Sequence, residues 1–348
     1  MDQVLHSLSA QRNPTLGEFF EPVQPDLADG TFFGIGNPLL DLSIKVDERF
    51  LKKHNLKEGQ ILLAGNEHQQ IFDDIDGKAR LASGGSSQNI MRSIAWFLQQ
   101  PRVATYMGCV GTDFDSTRLQ EVAQEAVSNR EAFMRICEHS HKKRKIFAMT
   151  LSAKYICDDP YGSRLLSALP YADIVFGIED DAKVFARSQL DIESTNLHTI
   201  IKAIHNAPKW NMNRPRIVVL SKLKVRTTVA TVENVKEYEW KRQVNVVDTH
   251  GCADAFAGGF LAYRALDKNV DECVRAGLYC AYENLKQLGC LFPSKVSFSP
   301  HKSLDDDDDY MRGSISNTEI IKRNIQYCFS KRFLSLIKKR ALNAVFWI

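Results

Sequence analysis

Short β-rich runs alternate with helical runs from Thr31 to Pro293, and this alternation limits the chain to few folds. FFGIGNPLLDLSIKV contains two strands around a Gly-Asn-Pro turn, NIMRSIAWFLQQ has apolar residues at helical spacing, and KIFAMTLSA and PRIVVLS are strands. VVDTHGCADAFAGGFLAY then gives a strand, a glycine-bearing turn and a helix. Such alternation is typical of βαβ units, so we predict an α/β fold with three layers, αβα, around a mostly parallel sheet.

The two ends of the chain differ from this central region. Residues 1–30 are polar and show no period, so we predict an N-terminal extension there. For residues 294–348 we predict an acidic linker, which includes Asp305–Asp309, and then a basic amphipathic helix. The apolar stripe of that helix would consist of Ile321, Ile325, Phe329, Phe333, Ile337, Ala341 and Val345. The helix would dock on the domain or, alternatively, bind a membrane surface or a calmodulin-like partner.

Composition argues against several classes of protein. The 348 residues are 44% hydrophobic and carry a net charge of +3, and no basic patch interleaved with aromatic residues indicates nucleic-acid binding. We find no run of eighteen uncharged apolar residues and no basic-then-apolar N-terminus, so we expect neither a membrane span nor a secretory signal. The eight cysteines show no CxxC pairing, which favours reduced, buried thiols over a metal site.

The turn that follows Val247 is a candidate phosphate site. In open α/β sheets, ligands bind beyond the carboxyl ends of strands, where the first amides of the next helix have no intrahelical partners. Asp254 falls in this first helical turn. Its carboxylate could accept a proton from an attacking hydroxyl while the amides hold a phosphoryl group. The alternative is that Asp248 and Asp254 only cap the helix, and spacing does not separate the two hypotheses.

A second glycine-rich segment, ASGGSSQN at residues 82–89, also leads into a helix. Neither a P-loop motif nor a complete dinucleotide-binding fingerprint occurs in the chain. Gly84 and Gly85 permit close backbone approach to a ligand, and Ser86 and Asn89 offer polar groups. The alternative is a helix N-cap formed by Ser86 or Ser87.

Four stretches in this order resemble adenosine kinases, members of the ribokinase-like family of carbohydrate and nucleoside kinases: GIGNPLLDLSIKVD, GGSSQNIMRSIAWFLQQP, KIFAMTLSAKYI and VVDTHGCADAFAGGF. The resemblance implies a ribokinase-like kinase domain over residues 31–293 with a reduced small lid around residues 39–46. It also implies ATP-dependent, Mg²⁺-assisted phosphorylation of adenosine to AMP in purine salvage. The protein would be a monomer in the cytoplasm, with the nucleus as a second location.

The resemblance further implies roles for individual residues. Asp254 matches the catalytic base, and the anion hole ahead of it matches Gly251, Cys252 and Ala253. Glu179 and Asp181 stand in the element that organises magnesium and phosphate in the family. Six positions match those that hold the nucleoside in the family: Asn37, Asp41, Gly84, Gly85, Ser86 and Asn89. Of these, Asp41 is placed to bind ribose hydroxyls.

Departures from the family pattern fall on the phosphate side. DTHGCADAF has Ala253 where the signature has glycine, so a β-carbon would enter the anion hole, with strain if that position needs positive φ. Near residues 121–147 the family has a further lid part and a strand-helix unit that we do not find, and loss of a central strand must rearrange the sheet. Two alternatives therefore stay open. One is a catalytically impaired nucleoside-binding protein, and the other is a membrane-surface or scaffold protein that acts through the basic tail.

Overall fold

A computed structural model of the chain describes residues 27–36, 38–57, 66–100, 102–108, 130–159, 161–240, 245–299 and 324–329. The strands in this part of the chain are β1 (Phe32–Ile35), β2 (Leu39–Lys45), β3 (Arg80–Gly84), β4 (Ala104–Met107), β5 (Ala148–Thr150), β6 (Ile174–Ile178), β7 (Ile217–Lys222), β8 (Arg226–Ala230), β9 (Val235–Glu239) and β10 (Asn324–Phe329). The helices are α1 (Glu48–Lys53), α2 (Gln69–Ile75), α3 (Ser86–Leu98), α4 (Arg130–Lys142), α5 (Lys154–Cys157), α6 (Gly162–Ala168), α7 (Glu179–Leu190), α8 (Leu197–Asn206), α9 (Cys252–Ala265) and α10 (Val270–Leu285).

The largest sheet has the strand order β5-β6-β7-β8-β9 and is covered by helices on both faces. Successive residues of β6 alternate between two cores, because side chains along a strand point to opposite faces. Ile174 and Phe176 pack with α3, α9 and α10, while Val175 packs with α7 and α8. The predicted αβα layering is therefore confirmed. The pairings β5–β6 and β6–β7 are parallel, but β8 and β9 add an antiparallel edge that the sequence analysis did not anticipate.

The strands β1 and β4 form a separate parallel pair. Within the described ranges, no ladder of hydrogen bonds joins this pair to the five-stranded sheet. The two sheets nevertheless share one core, in which Phe32 of β1 and Phe176 of β6 belong to the same buried cluster as Phe260 of α9. The helices thus hold together two pieces of sheet that backbone pairing does not connect in the described part of the chain.

A third sheet is antiparallel, with the order β10-β2-β3. Its middle strand is the segment predicted to be a lid strand. The predicted amphipathic helix is wrong at residues 324–329, because these form β10 and pair with Lys45 to Leu40 of β2. NIQYCF is rich in residues that favour strands, and pairing with β2 satisfies a row of backbone groups. The remainder of the predicted helix lies outside the described residues, as does most of the predicted N-terminal extension.

The segment that begins at Val246 is not the strand that its apolar residues predict. The amide of Val247 donates to the carbonyl oxygen of Leu285 at 2.8 Å. This carbonyl is at the C-terminal end of α10, where the last carbonyls have no intrahelical donor. The chain is therefore fixed by the end of a helix, and it enters the turn at Asp248 from there.

None of the described helices is long and apolar enough to cross a bilayer. The cysteines whose side chains the structure describes are free and buried: Cys137, Cys157, Cys252, Cys273, Cys280 and Cys290.

Candidate active site

The N-terminal ends of α3 and α9 meet near the carboxyl ends of β5, β6 and β7. Helix α9 has Gly251 as its N-cap, with φ of 71° and no side-chain cap hydrogen bond. A Cβ at Gly251 would lie 2.6 Å from Cβ of Cys290, so both conformation and space require glycine here. The capping alternative is wrong, because neither Asp248 nor Asp254 caps the helix.

Asp254 is the third residue of α9, and its carboxylate is buried against α3. The hydroxyl of Ser86 donates to Oδ1 of Asp254, and Nδ2 of Asn89 donates to Oδ2 at 2.9 Å. Burial raises the pKa of Asp254, and the two hydrogen bonds and nearby His250 only partly oppose this effect. The carboxylate is thus held in one orientation and is more basic than an exposed aspartate.

Asp248 stabilises the turn ahead of α9. Its Oδ1 accepts a hydrogen bond from the amide of His250 at 3.0 Å, and its Oδ2 accepts one from the amide of Gly289 at 2.9 Å. These bonds join the turn to the loop that follows α10. Asp248 therefore positions the residues around it, because both of its oxygens are engaged with backbone amides.

Asp41 reaches the same site from β2 and lies against the turn between β3 and α3. Helix α3 begins after Gly85, which has φ of 96°, so the alternative of an N-cap formed by Ser86 or Ser87 is wrong. Asp41 is buried on β2, and its carboxylate lies where a Cβ of Gly84 would be. Any larger residue at position 84 would displace this carboxylate. Nε2 of His250 lies 3.3 Å from Oδ2 of Asp41.

A cavity of about 50 Å³ opens beside Asp254. Its polar lining comes from the carboxyl ends of the parallel strands and from the N-termini of α3, α7 and α9: Thr150, Ser152, Ser221, Asp181, Ser86 and Asp254. Ala253 also lines it, so a methyl group borders the space in front of the helix. Ala253 is helical and is not among the described residues with positive φ, so the strain considered for that position does not arise.

The two acidic residues predicted at the phosphate side have different surroundings. Asp181 is 3% exposed and lines the cavity, and burial raises its pKa to about 6. Glu179 is not among the cavity residues, and its Oε1 lies 3.0 Å from Nη2 of Arg226 on β8. Asp181 therefore shares the site with Asp254, whereas Glu179 forms a structural ion pair.

Replacement of Asp181 by asparagine is expected to stabilise the protein at alkaline pH. Because the folded-state pKa of about 6 exceeds the ordinary value of 3.8, stability is greatest in acid and is lost as pH rises through 6. Each pKa unit corresponds to about 1.4 kcal/mol, so the variant should be more stable by about 3 kcal/mol at pH 8 and nearly unchanged near pH 4. Urea unfolding of both proteins at the two pH values measures this difference. Equal differences at both pH values would contradict the assignment.

The structure thus brings together Asp254, Gly251 to Ala253, Asp41, Gly84 to Ser86, Asn89 and Asp181, while Asn37 lies outside the described residues. Two polar residues of the site, Arg92 and His250, were not predicted from the sequence. Arg92 donates from Nη1 to Oδ1 of Asn89 at 2.9 Å and from Nη2 to the carbonyl oxygen of Ser83 at 2.9 Å. His250 stands in the DTHGCAD turn, but nothing local in the sequence indicated its contact with Asp41.

The described residues contain no group of three histidine, cysteine or acidic side chains that could hold a metal ion. Mg²⁺ that binds together with a nucleotide usually takes only one or two carboxylate ligands from the protein, because substrate phosphates and water supply the other ligands. Asp181, with an ionisable carboxylate at the cavity, fits such a site.

Comparison with known proteins identifies relatives of this arrangement. Residues 127–296 match the family described as pfkB family carbohydrate kinase. Adenosine kinase 2 of Arabidopsis thaliana is 27% identical over 340 residues, which include 78% of this chain and 98% of the relative. Adenosine kinase of Dictyostelium discoideum is 26% identical, with 76% of this chain and 97% of the relative included.

Solved structures agree with these relatives. The crystal structure of Anopheles gambiae adenosine kinase in complex with P1,P4-di(adenosine-5) tetraphosphate has a TM-score of 0.67 and 27% identity, and it covers 78% of this chain and 100% of that chain. Schistosoma mansoni adenosine kinase in complex with 2-fluoroadenosine has a TM-score of 0.65 and 23% identity, covers 77% of this chain and 99% of that chain, and supports the fold alone. The predicted ribokinase-like fold and the resemblance to adenosine kinases are confirmed.

Proposed function

We propose that the chain transfers the γ-phosphoryl group of ATP to the 5′-hydroxyl of adenosine, giving AMP and ADP. The match of residues 127–296 to the pfkB family carbohydrate kinase model supports a kinase. The Arabidopsis and Dictyostelium relatives and the Anopheles structure are adenosine kinases, which supports this substrate. The free cysteines of the described chain are compatible with a reducing compartment, and we place the reaction in the cytoplasm.

The observation that carries the proposal is the convergence of Asp41 and Asp254 at one buried site. They come from β2 and α9, and His250 and the turn before α3 lie between them. A carboxylate that accepts two ribose hydroxyls and a second that accepts a proton are the two acidic groups that a nucleoside kinase needs. Both aspartates interact with His250, and the charge of Asp41 raises the pKa of Asp254.

In the proposed mechanism, Asp254 is the general base. The ribose 5′-oxygen attacks the γ-phosphorus, its proton passes to the Asp254 carboxylate, and ADP leaves. Burial raises the pKa of Asp254, which brings its basicity closer to the operating pH. Ser86 and Asn89 orient the carboxylate by donating to its two oxygens.

The amides at the start of α9 would hold the negative charge of the transferred group. Ala253 lines the cavity at the start of α9, where the first amides have no intrahelical partner and the positive end of the helix dipole lies. The amide of Cys252 donates to the carbonyl oxygen of Thr249 at 3.3 Å. Mg²⁺ bound with ATP supplies further neutralisation of phosphate charge. Asp181 is the side chain that would hold it, and the raised pKa of about 6 leaves this carboxylate ionised at neutral pH.

A second candidate function is adenosine binding without phosphoryl transfer. The cavity of about 50 Å³ is small, and the Ala253 methyl group borders it. Both oxygens of Asp254 also accept hydrogen bonds from α3 in this structure. Loss of one anion-hole donor lowers kcat by about 10²–10³. An anion hole that the Ala253 side chain narrows would bind the phosphoryl group less well, which favours slow turnover.

Adenosine-dependent ADP release by the full chain tests the proposal. We expect release with adenosine that exceeds release with other nucleosides, with ribose and with no acceptor. AMP should appear in equal amount. Adenosine binding in calorimetry without ADP release would support the second candidate and overturn the kinase proposal.

Replacement of Ala253 by glycine is expected to raise turnover. It removes the methyl group at the cavity and opens the helix N-terminus to phosphate. Recovery of one effective donor would raise kcat by up to about 10²–10³. Ala265→Gly, at the other end of α9, is the matched control. It accounts for the loss of helix stability that glycine causes, up to about 1 kcal/mol, and should leave kcat unchanged. Equal kcat for Ala253→Gly and the unmodified protein would show that the methyl group is harmless.

A further inference from the structure

His250 lies next to the carboxylate of Asp41. Nε2 of the imidazole lies 3.3 Å from Oδ2 of Asp41, while the exposed fraction of the two side chains is 23% and 5%. The turn itself is fixed, because Oδ1 of Asp248 binds the amide of His250. The contact therefore joins a rigid turn to a buried carboxylate. This carboxylate, of Asp41, is the group that would bind the ribose hydroxyls in the proposed function.

The surroundings of His250 are mostly acidic. Burial lowers its pKa, but Asp41 of β2, Asp254 of α9 and Asp248 of the turn together outweigh burial, so the pKa lies above its ordinary value. From the loop after α10 comes Cys290, whose thiol stays neutral because burial raises its pKa. On α3 the nearest cation is Arg92, and its guanidinium donates to Asn89, Ser83 and the carbonyl oxygen of Cys290.

We propose that His250 is a gate for the nucleoside: when protonated it holds Asp41 and excludes the ribose hydroxyls, and when neutral it releases the carboxylate to them. This gate rests on the proposed function, since it needs a ribose at Asp41. A carboxylate engaged by an adjacent cation is a poorer acceptor for a neutral hydroxyl, because the hydroxyl must replace a charge-assisted contact. His250 is thus a specificity-determining residue that makes nucleoside affinity depend on pH.

Calorimetric titration of adenosine into the full chain from about pH 5.5 to 8.5 tests the gate, in the pH range where histidine titrates. If only the neutral form binds, the apparent Kd rises about tenfold for each pH unit below the pKa of His250. The variant His250→Gln, which cannot be protonated, should bind adenosine with a Kd that varies little over this range. At the acid end its affinity should exceed that of the unmodified protein by tenfold or more.

Two control variants separate the gate from other titrations. His198→Gln removes a histidine from an exposed ion pair with Glu237, and it should keep the pH profile of the unmodified protein. In Asp254→Asn the pH dependence should persist but shift to lower pH, because the charge of Asp254 contributes to the raised pKa of His250. In NMR titration, Asp41→Asn should lower the pKa of His250.

Identical pH profiles for the unmodified protein and His250→Gln, with adenosine bound by both, would overturn the gate and leave the proposed function standing. No adenosine binding by either protein at any pH would overturn both. A His250 titration unchanged by Asp41→Asn would also overturn the gate, because the ion pair is its physical basis.

Discussion

Replacement of Asp254 by asparagine is expected to lower the rate of phosphoryl transfer by about 10²–10⁴ while adenosine still binds. In the proposed mechanism, the carboxylate takes the proton of the 5′-hydroxyl, and an amide cannot. The variant should fold at least as stably at neutral pH, because it removes a buried carboxylate whose pKa is raised by burial. A rate loss in a protein of undiminished stability would therefore reflect chemistry.

Parallel measurements of kcat, adenosine Kd and the urea midpoint check this expectation. Asp267→Asn is the matched control, since that side chain is fully exposed beyond the end of α9 and should change none of the three. Turnover of Asp254→Asn within tenfold of the unmodified protein would mean that another group accepts the proton.

Replacement of Arg216 by methionine is expected to destabilise the fold by about 3–5 kcal/mol. The guanidinium is 1% exposed and donates only to backbone carbonyls among the described contacts: those of Leu169, Ala172, Ile204, His205, Ala207 and Pro208. Several of these carbonyls are at the C-terminal end of α8, where a cation is favourable. Burial lowers the pKa of Arg216 to about 10, so it remains charged at neutral pH.

Methionine fills a similar volume but removes all the guanidinium donors from these carbonyls, of which that of Leu169 keeps the amide of Ala172. Urea unfolding followed by circular dichroism gives the free energy of unfolding. Arg187→Met, an exposed arginine on α7, is the control and should change this free energy by no more than about 0.5 kcal/mol. A change of no more than about 0.5 kcal/mol in the free energy of unfolding of Arg216→Met would contradict the structural role assigned to the buried guanidinium.

The α/β layering could be predicted because strand and helix periods are local properties of the sequence. Alternation of Ile174, Val175 and Phe176 between two cores follows from period-two patterning alone. The antiparallel pairing of β8 and β9 and the separation of β1 and β4 from the main sheet could not be predicted in this way. They depend on which strands find partners in space, and the local pattern of apolar residues does not specify those partners.

Two local errors have the same origin. Residues 324–329 satisfy a helical spacing of apolar residues, but pairing with β2 offers their backbone a better set of partners. Val247 lies in an apolar run that favours a strand, yet its amide is bound by the end of α10. In both cases a tertiary contact replaces the structure that local propensity favours.

For the site, the glycine-rich turns located the elements correctly, because Gly85 and Gly251 do have positive φ. The sequence could not reveal that Asp254 is bound by Ser86 and Asn89, since these residues are distant along the chain. It likewise gave no sign of the contact between His250 and Asp41. Long-range side-chain pairs of this kind carry the chemistry, and they depend on the completed fold.

Single-turnover transfer from ATP labelled at the γ-phosphate tests the central claim most directly. The full chain, adenosine and Mg²⁺ are mixed with enzyme in excess, and the nucleotides are separated. We expect label in AMP, at a rate reduced by about 10²–10⁴ in Asp254→Asn. Bound adenosine with no labelled AMP, or labelling that is as fast in Asp254→Asn as in the unmodified protein, would contradict it.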